Sequence, residues 1–244
     1  MQWEAEALIL SVRSHGESSA IIDVFSRDYG RFGGLVRGGN SRRQRPILQP
    51  GNMITANWRA RLSEHLGTMT IDAGRAYAAA AMSEPISLAG LSSLCALMQV
   101  TAERQAYPRL YDTVQVVLNG LDKADIWLPL LARFELALLE ETGFGLDLSC
   151  CAATGVIEDL AYVSPRSGRA VSREAAQPYL DKMFVLPQFL LDPSESAEPE
   201  DVIHALTLSG HFLERRVYLP NNIKMPPARQ RLMDMLARQV PNLA

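Results

Sequence analysis

Eight arginines stand between positions 27 and 61 (Arg27, Arg31, Arg37, Arg42, Arg43, Arg45, Arg59 and Arg61) against one acid, Asp28. That is a local charge of +7 in a 244-residue chain whose formal charge is −3. The densest part is Arg37-Gly38-Gly39-Asn40-Ser41-Arg42-Arg43-Gln44-Arg45-Pro46. So many like charges repel unless a polyanion neutralises them. The arginines alternate with glycine rather than with glutamate, the pattern of a flexible cationic loop and not of a salt-bridged helix face. A guanidinium fork pairs phosphate oxygens two at a time, which makes a phosphate backbone the matching partner. A solvated arginine-rich turn without a ligand is the alternative reading. Only three lysines occur in the chain, so cationic chemistry falls to arginine.

Other reactive side chains are sparse. Cys95, Cys150 and Cys151 are odd in number and too few for a disulfide framework, so they are expected as free thiols in a reducing, cytoplasmic setting. His204 and His211 lie two helical turns apart, too far to chelate one ion together. Glu140-Glu141 has no visible carboxylate partner for Mg²⁺. No phosphate-binding loop, Gly-x-Ser-x-Gly or His-Glu-x-x-His pattern occurs, so no enzyme activity and no cofactor are expected. No apolar run reaches the roughly 18 residues of a membrane span, and the first residues lack the pattern of a secretory leader.

The elements that must position the arginines come in two kinds. Strands are expected over 3–12, 18–25, 31–37, 53–61 and 66–71, with Arg27-Asp28-Tyr29-Gly30 as a hairpin loop. Five short strands joined by tight turns point to a small closed barrel of the OB type. Trp58 and Phe32 are candidate base-stacking surfaces or barrel filling. Beyond residue 76 the pattern turns helical. Helices are expected over 83–103, 108–119, 126–142 (capped by Asp125, ended by Gly143), 172–182, 200–218 and 226–238, with 144–171 irregular or short-stranded. Trp127, Leu131, Phe134 and Leu138 recur at helical spacing and read as core. The class is therefore α+β: an OB-fold over 1–76, then a helical domain over 77–244 with an irregular insert at about 146–171. Residues 1–61 carry a net +4 and residues 62–244 a net −7, so one end alone suits nucleic acid.

Several ordered motifs resemble the RecO family of bacterial recombination mediators. They are His15-Gly16-Glu17-Ser18-Ser19, Gly38-Gly39-Asn40-Ser41-Arg42-Arg43, Leu48-Gln49-Pro50-Gly51, Arg133 to Leu139, and Thr142-Gly143-Phe144-Gly145-Leu146. The resemblance covers essentially the whole chain. It implies an OB-fold, a helical domain and a zinc-ribbon-like insertion. It also implies binding of single- and double-stranded DNA, strand annealing, work with RecR, binding of the tail of single-stranded DNA-binding protein (SSB), and help in loading RecA. Zinc-binding relatives carry two Cys-x-x-Cys pairs in the insertion. This chain has Cys151-Ala-Ala-Thr154 and Ser164-Pro-Arg-Ser167 instead, so no metal is expected there.

The expected sites follow. Arg31, Arg37, Arg42, Arg43, Arg45, Arg59 and Arg61 are to meet DNA phosphates without reading sequence. Arg133, with Leu130, Phe134 or Ala137 beside it, is to anchor the SSB tail, whose end is acidic and hydrophobic. Lys224 and Arg229 are secondary candidates there. The expected function is a DNA repair and recombination mediator in the cytoplasm, at the nucleoid. An RNA-binding or ribosome-associated OB protein and a metal-dependent nuclease are the rival readings.

Overall fold

The computed structural model describes residues 1–62 and 65–240. The chain opens with β1 (Gln2–His15), β2 (Ser19–Ser26), β3 (Gly30–Val36), β4 (Met53–Arg59) and β5 (Thr68–Ala73). These close into a barrel in the order β1-β2-β3-β5-β4. β1 is long enough to pair antiparallel with both β2 and β4. Closure runs through one parallel pairing, Leu35 with Thr68. That connectivity is the OB arrangement.

Strand alternation builds the barrel interior. On β2, Ala20, Ile22 and Val24 are buried while Ile21 and Asp23 face outward. The core adds Trp3, Ile9, Val36, Ile54, Trp58 and Met69. Trp58 is filling, not a stacking surface: its Nε1 donates to the carbonyls of Gly33 and Leu66 at 3.1 and 3.0 Å. Gly30 closes the β2–β3 hairpin at φ +70°.

Helices follow: α1 (Tyr77–Ala81), α2 (Pro85–Met98), α3 (Pro108–Asn119) and α4 (Ala124–Glu141). α2 stops five residues before the expected Glu103. The Thr101 hydroxyl donates to the Met98 carbonyl at 2.8 Å, and Arg104 turns the chain at φ +62°. α4 begins two residues early, at Ala124, so Asp125 lies in its first turn, where the helix dipole favours an acid, rather than at the cap. Trp127, Leu131, Phe134 and Leu138 are all fully buried.

The insert holds a three-stranded sheet of β6 (Leu160–Val163), β7 (Ala170–Ser172) and β8 (Phe184–Val185), ordered β7-β6-β8. A short α5 (Arg173–Ala176) runs on into a 3₁₀ turn, Gln177–Lys182. α6 (Pro199–Phe212) starts with a reciprocal cap between Glu198 and Asp201 and continues as a π-type turn, Leu213–Tyr218. α7 (Pro227–Gln239) is last. By compactness one unit comprises Met1–Asp122 with Pro226–Arg229, and the other Lys123–Met225 with Gln230 onward. The first unit thus holds α1, α2 and α3 as well as the barrel. No helix among the described residues is long and apolar enough to cross a membrane.

Candidate nucleic-acid interface

The basic segment connects β3 to β4, and it is not loose. Its turns are closed by Ser41 N–H to Gly38 O (3.0 Å), Gln44 N–H to Ser41 O (3.1 Å) and Leu48 N–H to Gln44 O (2.9 Å). Leu48 and Ile47 pin it to the barrel core. Asn52 donates to the carbonyls of Pro46 and Ile47 and accepts from the Ala78 N–H. Gly39 lies so close to Ala20 that an added Cβ would stand 2.7 Å from its methyl group. Asn40 N–H donates to Ser18 O at 3.0 Å. The Gly-Gly-Asn stretch is therefore tied to the β1–β2 turn, and apolar anchors lie inward of the charges.

Outward, Arg37, Arg42, Arg43, Arg45, Arg59 and Arg61 are exposed. None has a carboxylate within ion-pair distance among the described residues. Arg37 and Gln44 line a groove of about 370 Å³ along the edge of β5. Arg59, Arg61 and His65 line another of about 570 Å³ at the β4–β5 turn.

The remaining two of the eight are internally neutralised. Arg27 makes a two-pronged pair with Asp112, both N–H···O distances being 3.0 Å. Arg31, expected among the phosphate contacts, pairs with Asp23 at 3.1 Å and Glu103 at 3.5 Å and donates to the Thr101 carbonyl. Burial pushes the Asp23 carboxyl above the usual carboxylate range, and Arg31 opposes that shift. Phe32 is half-buried between Trp3 and Trp58, and the Arg104 guanidinium lies over its ring at 5.6 Å. Arg13 and Arg104, outside the basic block, are exposed cations that counting charge along the chain overlooks. Strand alternation on β1 would have turned Arg13 outward; nothing in the sequence marks Arg104.

A second candidate region lies on α4. Arg133 edges a groove of about 540 Å³ with Leu136, Ala137, Leu146, Leu148 and Leu190. Glu140 and Asp147 also line it. Arg133 donates to the Phe189 carbonyl and lies over the Phe189 ring. Burial lowers its pKa and Asp192 opposes this; a guanidinium nevertheless stays charged at neutral pH. Of the expected apolar companions Ala137 lines the groove, Leu130 does not, and Phe134 is fully buried. Lys224 is exposed, whereas Arg229 is 7% exposed and not presented to a ligand.

The insert makes two tight turns at the positions where the resemblance would place zinc ligands. Gly155 N–H bonds Cys151 O and Gly168 N–H bonds Ser164 O, at 2.8 and 2.9 Å. One thiol and three hydroxyls do not make a zinc site. Among the described residues no group of three or more His, Cys, Asp or Glu is placed to hold a metal. Instead the Cys151 sulfur accepts the Ser172 N–H at 3.3 Å and its hydroxyl at 3.4 Å. Burial pushes the thiol's pKa up, but the donors of Ser172, Thr154 and Ala153 bring it down to about 6. Arg216 donates to the Ser167 carbonyl at 2.8 Å, and a His211 ring nitrogen lies 3.3 Å from the Pro165 carbonyl.

Comparison with known proteins decides the family. The model described as recombination protein O N terminal matches residues 1–73, and the one described as recombination protein O C terminal matches residues 82–224. The chain belongs to the RecO family. A relative from Mesorhizobium japonicum, named DNA repair protein RecO, is 51% identical over 94% of this chain and 91% of its own length. Proteins of the same name from Cereibacter sphaeroides and Rhodospirillum centenum are 49% and 45% identical, over 98% and 96% of this chain and 99% and 94% of their own lengths. The RecO family match takes in both the barrel and α4, the two elements that carry the candidate sites.

Proposed function

We propose that this chain is a non-enzymatic DNA repair and recombination mediator. It binds single- and double-stranded DNA, anneals complementary strands and helps load RecA onto SSB-coated DNA, with RecR as its assembly partner. The observation that carries this is six exposed arginines on one barrel, without ion pairs among the described residues, in a member of a family of DNA repair proteins. Phosphates are the ligand such a surface lacks. In the helical region the groove beside Arg133 has the make-up to take the SSB tail: leucine and alanine carbons for its hydrophobic end, a guanidinium for its terminal carboxylate. Two weak contacts to one SSB–DNA assembly reinforce each other.

The test is the Arg42→Ala, Arg43→Ala, Arg45→Ala triple variant, titrated with single-stranded DNA over a range of salt. Three lost phosphate contacts flatten the slope of log K against log salt by roughly 2, at about 0.7 each. Melting temperature should hold, since these side chains are exposed. An unchanged slope would remove the β3–β4 segment from the interface. Tighter binding of RNA than of single-stranded DNA would favour an RNA-binding role instead.

A further inference from the structure

A cavity of about 560 Å³ opens on the outward face of β1, β2 and β3. In an OB barrel this is the face that meets oligonucleotides. Arg13 stands on β1, Asp23 on β2 and Arg31 on β3; Leu66 closes one side, and Glu103 and Arg104, beyond the end of α2, close the other. Gly33 keeps the floor flat, because a Cβ there would crowd Leu66 at 3.1 Å.

The lining sorts into spent and unspent charge. Arg31 is held by Asp23 Oδ2 and by Glu103, while Asp23 Oδ1 is buried without a hydrogen-bond partner among the described residues. Arg13 is close enough to Asp23 to favour its ionised form, yet makes no ion pair among the described residues. Arg104 makes none either. Among the described residues that line it, three cations stand against two carboxylates, and Arg13 and Arg104 are the two cations without an ion pair.

Arg104 also stands at φ +62°, a backbone region that suits glycine or asparagine. Its N–H donates to the Arg31 carbonyl at 2.8 Å, which fixes that path. Glycine would follow the same path without strain, so the path itself does not call for an arginine. The side chain is what the position keeps. Its guanidinium is braced over the Phe32 ring and donates to the His65 carbonyl at 3.3 Å, at the rim of the cavity. A planar cation braced in this way is ordered before any ligand arrives.

We propose that this cavity seats one unstacked nucleotide of a single strand, with Arg13 and Arg104 pairing its phosphate. It is then the feature by which the protein distinguishes a single strand from a duplex. A recess admits a splayed-out nucleotide, whereas a duplex keeps its bases stacked and paired and meets only outward charges such as Arg42, Arg43 and Arg45. The inference rests on the DNA-binding reading above and adds strand-state selectivity at residues outside the basic segment.

The experiment measures binding of a mixed-sequence single strand and a duplex of equal length. The proteins are wild type, the Arg13→Gln, Arg104→Gln pair, Arg104→Gly, and the Arg42, Arg43, Arg45 alanine triple. The glutamine pair should lose about tenfold for the single strand, with the salt slope flattened by about 0.7, and less than about twofold for the duplex. The triple should weaken both ligands. Arg104→Gly should melt at or above the wild-type temperature yet bind the single strand about threefold to tenfold more weakly. Undiminished single-strand binding by the pair, or equal losses for both ligands, would overturn the proposal. So would a lower melting temperature for Arg104→Gly, because the side chain would then be structural. A triple that binds normally counts against the β3–β4 interface instead, and leaves the outcome for Arg13 and Arg104 to be read by itself.

Discussion

Cys151 shows how one buried side chain can order an insert through the hydrogen bonds it accepts. Its buried sulfur is the common acceptor for the Ser172 N–H and hydroxyl. Cys151→Ala would leave both donors without a partner, at about 1–3 kcal/mol. With a two- to four-degree shift per kcal/mol for a chain this long, thermal melting would register that loss. Cys151→Ser keeps an acceptor and should lose less. The two also differ from wild type in pH dependence. The thiol's pKa falls on folding, from an ordinary 9.0 to about 6. Its contribution to stability is therefore fully present above about pH 9 and is lost as pH falls through about 6. Wild type should gain melting temperature over Cys151→Ser between pH 6 and 9; parallel curves would mean that the buried thiol stays protonated. The arginines teach the complementary lesson. Their number and exposure as a group were legible from composition. The neutralisation of Arg27 was not, because Asp112 comes from more than seventy residues away, and that of Arg31 rests both on similarly distant Glu103 and on Asp23, which only the β2–β3 pairing brings beside it.

At the scale of elements, glycines separate the positions where space is short from those where only backbone freedom matters. Gly30 closes the β2–β3 hairpin at φ +70°, and a Cβ there would lie 1.7 Å from the Gln105 carbonyl oxygen. Gly30→Ala should cost roughly 2–4 kcal/mol, since backbone must move as well as accept strain. Gly38 has nearly the same φ, +71°, and nothing within 4 Å. Gly38→Ala should cost only about 1 kcal/mol, the conformational penalty alone. Similar melting losses for the two would contradict the packing argument. The hairpin was readable because Arg-Asp-Tyr-Gly is turn chemistry between alternating strands. α3 likewise began at Pro108, where its proline announces it. The end of α2 was unreadable. Residues 99–107 contain neither glycine nor proline, and what stops the helix is a hydroxyl cap from Thr101 together with a left-handed Arg104. The basic segment was misjudged for a related reason. Glycine spacing suggested looseness, whereas Ile47, Leu48 and Asn52 order it through contacts that charge patterning does not see.

For the whole molecule, the function proposed above would turn the division of charge into a division of labour. The first 61 residues hold +4 and the rest −7, so a polyanion is drawn to the barrel and repelled from most of the remaining chain. An acidic peptide must then find a local cation among carboxylates, and Arg133 beside its apolar groove offers one. This predicts a double dissociation. Arg133→Ala should weaken binding of an SSB-tail peptide by roughly tenfold to a hundredfold, the worth of one charge-assisted contact at a half-buried site. It should leave binding of naked single-stranded DNA nearly unchanged. The Arg42, Arg43, Arg45 alanine triple should do the reverse. If handover needs both contacts, as proposed above, each variant alone should slow annealing on SSB-coated strands, and only the triple should slow annealing of bare strands at low protein concentration. Arg133→Ala also removes the donor to the Phe189 carbonyl, so its melting curve belongs beside the binding data. Equal losses for peptide and DNA, with a lowered melting temperature, would mean that Arg133 serves the fold. Full peptide binding with an intact fold would move the tail site away from α4, and exposed Lys224 would be the next residue to replace.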